Sequence, residues 1–505
     1  MRSKNSLRNI IFSLTLNIIA MLVGFIAQKI FLQTLGTEYL GIQGLFSNIV
    51  SILGIVELGI GPAIIYKLYK PLADGNKEKI KSLMQFYKKC YSIIAIIILG
   101  LGLMLLPFIK FFVGNVNIDI NLNYIYILFL IETVCSYLLT YKRSILYADQ
   151  KNYIIDAVHI LYISFMNALQ IIILIETKNY ILYLFIKIIF RILENVVITI
   201  ITNKKYPYIK SKEVKPLSKH TKKSIYINLN GLICQKVSSV ASQGINNIII
   251  SKFLGVALVG MYSNYNIILV ALNNLISQAF SSITASVGNL LTEMNSDKSY
   301  SIYKNLLFLN SWIFTFSCIG ILCIMEPFIT LWIGKQYILP FSVLVVLVIN
   351  FYIQGMKRTS TTFKEAGGIY YKGRFIAILE AILNVVFSVI FVQICGLSGV
   401  FMGTIISSSV WFFYGYPKYI YIPIFKRNYS QYIKDYIPHV LMSIFITIFT
   451  YLITCFIKIN NIWLTIIINL IIVCVIPNLA YIIIFYKTKE FNYCKNIVQK
   501  YIFKK

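Results

Sequence analysis

Long apolar runs, separated by short polar segments, follow one another along almost the whole chain. Each run has about twenty residues, the length that a helix needs to cross the hydrocarbon core of a bilayer. The pattern therefore predicts fourteen membrane spans, near residues 10–33, 40–64, 89–110, 122–141, 154–175, 181–202, 226–253, 259–290, 304–327, 337–356, 374–395, 397–420, 437–457 and 462–486.

The sequence repeats itself after about 220 residues. Three motifs recur in nearly one register: Leu35-Gly36 with Gly41 as Leu254-Gly255 with Gly260; Asn76, Glu78 and Lys79 as Asn295, Asp297 and Lys298; and Pro107-Phe108-Ile109 with Gly114 as Pro327-Phe328-Ile329 with Gly334. Six predicted spans separate the copies, so both copies enter the membrane from the same side. The repeat therefore predicts two parallel lobes, an arrangement that brackets the transport site in many transporters.

The predicted fold class is an all-α polytopic membrane protein with about 14 transmembrane helices, in two parallel six-helix lobes plus two C-terminal helices. Residues 1–203 are predicted to form the N-terminal lobe and residues 225–427 the C-terminal lobe. The basic segment 204–224 would link them on the cytoplasmic side. Residues 428–505 would add the two further helices and a basic cytoplasmic tail.

Charge placement predicts the orientation. Only 13% of the residues are charged, about half of what a soluble protein carries, yet the net charge is +29. Most lysines and arginines fall in the segments that lie inside if the N-terminus is cytoplasmic, so both termini are expected in the cytoplasm. This bias, with contact to anionic lipids, explains the charge, and nucleic acid is not expected as a partner.

Cysteine and histidine usage indicates neither a disulfide framework nor a metal site. The nine cysteines contain no CxxC pair, and the three histidines lie far apart without ligand spacing. Phosphate-binding loops and hydrolase motifs are also missing from the sequence. The chain is therefore not expected to be an enzyme or to carry a cofactor.

Polar side chains mark several spans. Gln235, Ser239, Ser242 and Asn246 share one helical face of span seven, which also carries Lys236, Gln243 and Asn247. Asn266 and Asn273 belong to another stripe in span eight, and a weaker stripe occurs in span two, with Ser47, Ser51 and Gly54. Such residues either mediate helix packing or line a hydrated cavity. The polarity of span seven favours the cavity.

Charges within spans are costly and usually face a cavity or a partner. Lys29, Lys236 and Lys252 have no acidic neighbour on their own helices, which favours an anionic substrate such as a phosphate. Snorkelling of the side chain to the membrane surface is the alternative for Lys29 and Lys252. Glu57 is alone on span two and is a candidate for coupling transport to H⁺ or Na⁺, although a role in helix packing is equally compatible.

Span six carries charges that favour a structural role. Lys187, Arg191 and Glu194 lie at successive turns of one helical face. Arg191 can pair with Glu194 within the helix or with Glu132 on span four. A structural charge pair is therefore the preferred interpretation.

Loose motifs follow one another in a fixed order along the chain: Leu35-Gly36 with Glu38 and Gly41; Glu57-Leu58-Gly59-Ile60-Gly61-Pro62-Ala63; Lys205-Tyr206-Pro207; Pro327-Phe328-Ile329 with Trp332 and Gly334; Ala366-Gly367 before Tyr370-Tyr371; and Gly396-Leu397-Ser398-Gly399-Val400-Phe401-Met402-Gly403-Thr404. In these motifs the chain resembles the bacterial Wzx-type polysaccharide flippases of the multidrug/oligosaccharidyl-lipid/polysaccharide exporter (MATE-like) superfamily. The resemblance covers roughly residues 7–427, and the family more often has Asp at the position of Glu57.

The resemblance implies a transporter that flips undecaprenyl-diphosphate-linked oligosaccharide from the inner to the outer leaflet of the bacterial cytoplasmic membrane. It implies alternating access between the lobes, with spans one, two, seven and eight around the cavity. Membrane lipids and polysaccharide assembly proteins are the other expected partners. The predicted substrate-binding residues are Lys29, Lys236, Lys252, Asn246, Asn247, Gln243, Asn266 and Asn273.

Two alternatives remain open on the sequence alone. A drug or organic-cation antiporter of the same superfamily would need an acidic, aromatic cavity, and the lysines of spans one and seven count against it. A membrane polysaccharide polymerase would need acidic residues on a substantial outer loop, and the predicted outer loops are short.

Overall fold

The computed structural model describes residues 19, 21–57, 60–114, 116, 118, 120–149, 151–210, 217, 244–292, 295–369, 373–457 and 459–502. These residues are helical almost throughout and contain no β-strand. Ten of the described helices are long and apolar enough to cross a membrane. The prediction of an all-α polytopic membrane protein is confirmed.

The chain divides into two compact units, Met1–Ser263 and Asn264–Lys505. Most of the predicted linker 204–224 lies outside the described residues, so the proposed lobe boundary stays a prediction. The helices of the first unit are α1 Met21–Leu35, α2 Thr37–Leu53, α3 Ile60–Ala73, α4 Lys77–Leu105, α5 Ile109–Val113, α6 Leu122–Tyr137, α7 Arg143–Ala148, α8 Asn152–Thr177, α9 Tyr180–Lys205, α10 at residues 244–254, and the beginning of α11 Val256–Thr292.

Among its described residues, the second unit continues α11 and adds nine helices. Lys304 Nζ lies 2.8 Å from Glu490 Oε1, an ion pair that holds the amphipathic last helix against its neighbour. The helices are α12 Ser296–Trp332, α13 Phe341–Met356, α14 Arg358–Ala366, α15 Arg374–Cys395, α16 Leu397–Val410, α17 Ile422–Phe425, α18 Tyr429–Phe456, α19 Ile462–Phe485 and α20 Lys489–Ile502, with π-helical turns at Trp411–Gly415 and Pro417–Tyr421.

The repeated motifs mark equivalent helix boundaries. Asn76 and Asn295 begin α4 and α12, where each side-chain oxygen accepts a hydrogen bond from the backbone N–H three residues on, at 3.0 and 2.9 Å. Gly36 and Gly255 join consecutive helices with φ of +87° and +94°, a conformation that costs glycine little. The repeat in the sequence is thus a repeat of helix caps and turns.

Two repeated glycines lie at a close contact between α2 and the beginning of α11, within the first unit. A Cβ atom on Gly41 would lie 1.9 Å from the carbonyl oxygen of Val256, and one on Gly260 would lie 2.2 Å from that of Thr37. Thr37 and Val256 occupy equivalent positions in the two copies, as do the glycines, so the contact is symmetric. Only glycine lets the two backbones approach this closely.

The third span differs from the prediction. The hydropathy pattern predicts that this span begins near residue 89, whereas the helix α4 runs without a break from Lys77. The Asn76 cap starts the helix early, and no helix breaker follows before Gly100. The apolar face of its first turns, including Leu83 and Tyr87, is buried in the core of the first unit.

Candidate functional site

The predicted second span is interrupted at Glu57. The hydropathy pattern predicts one span over residues 40–64, but α2 ends at Leu53, a 3-10 turn covers Gly54–Glu57, and α3 begins at Ile60. Gly54 is a poor helix former, and Pro62 favours a new helix start because its missing N–H is not needed in a first turn. Irregular backbone at membrane depth is tolerated where protein or a cavity surrounds it.

A polar cavity of about 380 Å³ lies beside this break, within the first unit. It is formed by side chains of α2 and the 3-10 turn, of α6 and of α9. Its lining contains two acids, two bases and several hydroxyls: Ser47, Val50, Ser51, Gly54, Glu57, Phe129, Glu132, Thr133, Ser136, Tyr137, Lys187 and Arg191. The structure thus brings the predicted polar stripe of span two together with the charges of spans four and six.

Two tyrosines lie near the Glu57 carboxylate. The Tyr91 hydroxyl donates a hydrogen bond of 2.7 Å to Glu57 Oε1, and the Tyr137 side chain lines the same cavity. The Tyr87 hydroxyl donates to the backbone carbonyl of Gly61, just past the break. Within the described part of the chain, no lysine, arginine or histidine forms an ion pair with Glu57. A carboxylate with only neutral partners can accept a proton or a small cation.

The other carboxylates near the cavity are neutralised. Arg191 Nε donates to Glu132 Oε1 at 3.0 Å, and its Nη1 donates to Glu194 Oε2 at 2.9 Å. Glu194, whose side chain is 0% exposed, is also 3.1 Å from Arg143 Nη2 and 2.8 Å from His159 Nδ1. Both predicted contacts of Arg191 are therefore present. This network ties α6, α7, α8 and α9 together.

Lys187 completes the charged wall of the cavity. Its Nζ lies 3.6 Å from Glu132 Oε2 and 5.0 Å from the centroid of the Phe129 ring. With Arg191 it balances Glu132, so Glu57 is the cavity carboxylate that carries no basic partner among the described residues.

The predicted substrate-binding residues fall into three groups. Lys236 and Gln243 lie outside the described residues. Lys29 is half-buried on α1, and Asn246 and Asn247 are buried on α10. The Asn247 side chain lies beside Gly44 of α2.

The remaining predicted residues are more exposed. Lys252 is exposed at the end of α10, and its Nζ lies 3.8 Å from the centroid of the Phe111 ring, a cation–π contact. Asn266 is half-buried and Asn273 is exposed, both on the part of α11 that belongs to the second unit. A substrate role for these residues stays a prediction.

Sequence reasoning missed the groups that contact the central carboxylates. Tyr91 and Tyr137 belong to spans three and four, and Arg143 and His159 belong to later helices. Each is an ordinary residue of its own helix, and only tertiary packing brings it to Glu57 or Glu194. The acid on span two, the polar stripe beside it and the charges of spans four and six were the signals available in the sequence.

No protein-family model and no curated protein sequence matches this chain. Solved structures do match it. Lipid II flippase MurJ in an inward closed conformation is similar with a TM-score of 0.66 at 15% identity, over 94% of this chain and 99% of that one. An inward-facing multidrug resistance MATE family transporter of the MOP superfamily is similar with a TM-score of 0.60 at 17% identity, over 79% of this chain and 94% of that one.

A third structure shares the fold at greater distance. It is a MOP superfamily transporter from Pyrococcus furiosus, described as having a binding pocket of reversed polarity that suggests a different function. The TM-score is 0.52 at 15% identity, over 83% of this chain and 95% of that one. At these identities the likeness establishes the fold, and this chain has the fold of these transporters.

Proposed function

We propose that the protein flips undecaprenyl-diphosphate-linked oligosaccharide from the inner to the outer leaflet of the bacterial cytoplasmic membrane. The extent of the structural likeness is the main support. The likeness to lipid II flippase MurJ covers 94% of this chain and so includes most of residues 428–505. The likeness to the MATE family transporter covers 79%, less than the share of the chain that precedes residue 428.

Alternating access of two lobes would carry the substrate across the membrane, with both termini in the cytoplasm. The lipid diphosphate would bind the lysines of spans one and seven. Among these, Lys29 of span one is half-buried. The buried amides of Asn246 and Asn247 would contact sugar hydroxyls. Lys236, Lys252, Gln243, Asn266 and Asn273 remain proposed contributors.

Glu57 would couple transport to a gradient of H⁺ or Na⁺. Its carboxylate sits at a helix break, in a polar cavity, and accepts a hydrogen bond from the Tyr91 hydroxyl. Binding of a proton or cation there would neutralise the one cavity carboxylate that forms no ion pair among the described residues. Neutralising the Glu57 carboxylate would stabilise one conformation of the broken span relative to a second conformation. Coupling of transport to an ion gradient requires such a difference in stability.

A drug or organic-cation antiporter is the second candidate, since a multidrug resistance transporter shares the fold. The cavity beside Glu57 also holds Lys187 and Arg191, so its charge is balanced and it is not the acidic site that a cationic drug would need. Drug-resistance assays separate the two candidates: the flippase should confer no resistance when overproduced.

Cells that lack the protein should accumulate lipid-linked oligosaccharide in the inner leaflet. The accumulation can be measured as the fraction of lipid-linked glycan that is accessible in inverted vesicles but not in intact cells. Returning the wild-type protein should restore delivery. Glu57→Gln should not, because the neutral amide cannot release a proton or hold a cation.

Glu176→Gln is the matched control, since Glu176 is an exposed carboxylate at the end of α8. It should restore delivery fully at the same expression level. Normal outer-leaflet delivery in cells without the protein would show that it is not the flippase for this lipid. Full activity of Glu57→Gln would show that Glu57 does not couple transport to an ion gradient. It would not contradict the proposal that the protein is the flippase.

A further inference from the structure

Lys142 is a buried lysine of the first unit. It lies at the end of this unit for which the sequence predicts the cytoplasmic side. It closes the 3-10 turn Thr140–Lys142 between α6 and α7, and only 6% of the residue is exposed. Its Nζ donates a hydrogen bond of 2.8 Å to Asn203 Oδ1 and lies 5.3 Å from the centroid of the Tyr141 ring. Both partners are neutral, so neither compensates the charge.

Two further lysines approach the same position from other elements. Lys88 on α4 and Lys210, which ends the 3-10 turn Pro207–Lys210, lie close enough for their charges to act on Lys142. The helix α4 contacts both turns. Across the described ranges, no carboxylate forms an ion pair with any of the three lysines. Like charges therefore gather around one buried ammonium group.

The acidic residue closest to Lys142 along the chain is engaged elsewhere. Asp149 accepts hydrogen bonds from Lys151 and, at 2.5 Å, from the Tyr206 hydroxyl. Burial raises the pKa of Asp149, but these two hydrogen bonds outweigh burial and hold the pKa below its ordinary value. The charge of Asp149 is thus balanced by Lys151.

In the second copy of the repeat, the corresponding lysine has a different kind of partner. Lys357-Arg358 follows the fourth span of that copy, as Lys142-Arg143 follows the fourth span of the first. Lys357 is 7% exposed, and its Nζ donates to Glu380 Oε1 at 3.0 Å. Burying an ammonium group without a counter-charge is unfavourable. One copy supplies the counter-charge from Glu380, whereas the hydrogen-bond partner of Lys142 among the described residues of the other copy is the neutral Asn203.

We propose that Lys142, Lys88 and Lys210 bind a phosphate group at this end of the first unit. The positive-inside rule accounts for lysines exposed at the membrane surface but not for a buried one among like charges. Lysine binds phosphate as a point charge, without the fixed geometry that arginine requires. The phosphate belongs either to a lipid headgroup of the adjacent leaflet or to a soluble anion. This site is independent of the transported substrate.

The test uses the purified full-length protein and follows its thermal unfolding midpoint, since a ligand that binds the folded state raises the midpoint. One arm adds inorganic diphosphate in neutral detergent. The other compares nanodiscs of phosphatidylglycerol with nanodiscs of phosphatidylcholine. Stabilisation by phosphatidylglycerol alone identifies a lipid as the source, and stabilisation by diphosphate alone identifies a soluble anion.

Lys142→Gln should abolish the stabilisation in whichever arm shows it. Lys210→Gln should weaken binding about tenfold, the effect of one lost charge-assisted hydrogen bond, and it serves as the readout if Lys142→Gln does not fold. Lys495→Gln, an exposed lysine on α20, should bind like the wild type. Absence of stabilisation by either anion, or an unchanged midpoint shift in both site variants, would overturn the proposal.

Discussion

Gly41→Ala is expected to destabilise the protein by roughly 1–3 kcal/mol or more and to abolish transport. The added methyl carbon would lie 1.9 Å from the Val256 carbonyl oxygen, so the backbones of α2 and α11 would have to separate by about 1 Å or more. Rigid backbone, unlike the end of a flexible side chain, cannot relax locally. Thermal unfolding and substrate translocation measure the two effects.

The symmetry of the contact supplies a strong internal check. Gly260→Ala places its methyl carbon 2.2 Å from the Thr37 carbonyl oxygen and should cost about as much as Gly41→Ala. The two substitutions open the same contact, so their combined effect should be less than additive. Gly100→Ala is the control, because its Cβ would meet no atom within 4 Å, and it should be neutral or slightly stabilising. Equal effects of Gly41→Ala and Gly100→Ala would contradict the close contact.

Glu194→Ala is expected to destabilise the first unit by about 3–5 kcal/mol, the usual effect of removing one partner from a buried charge network. The substitution would leave Arg143 and Arg191 facing each other without the carboxylate that both contact. Because Arg191 also holds Glu132 at the polar cavity, the cavity should be disturbed as well. The free energy of unfolding, compared between variant and wild type in detergent or in lipid vesicles, measures this loss of stability.

Asp297→Ala is the matched control for Glu194→Ala. Asp297 pairs with Arg427 at 2.7 Å, but its side chain is 80% exposed, so the pair should contribute at most about 1 kcal/mol. Similar losses of stability in the two variants would show that the network around Glu194 is not a buried structural unit.

Sequence alone predicted the helical membrane fold because hydropathy and span length follow from one-dimensional patterns. It also found the repeat, since helix caps such as Asn76 accept only a few residue types and the close contact at Gly41 accepts only glycine. The sequence did not predict the break at the 3-10 turn Gly54–Glu57. The hydropathy stays high there, although the α-helix ends. Hydropathy reports burial in the bilayer and carries little information about local helix geometry.

The contacts of the candidate site were predictable only between opposite charges that stand out within apolar spans, as for Arg191 with Glu194 and Glu132. Arg191 and Glu194 lie one turn apart, and their contact was predicted. Tyr91 and His159 reach their carboxylates through packing of distant spans, which no local pattern encodes. Lys142 was missed for the same reason, since a lysine near a span end usually remains exposed.

Flipping in reconstituted vesicles tests the central claim most directly. Purified protein in lipid vesicles, with a labelled undecaprenyl-diphosphate oligosaccharide in the inner leaflet, is followed by the rate at which the sugar becomes accessible from outside. The account predicts transfer much faster than in protein-free vesicles, with a labelled phosphatidylcholine in the same vesicles left at its uncatalysed rate. Transfer no faster than in protein-free vesicles, or equal acceleration of both lipids, would contradict it.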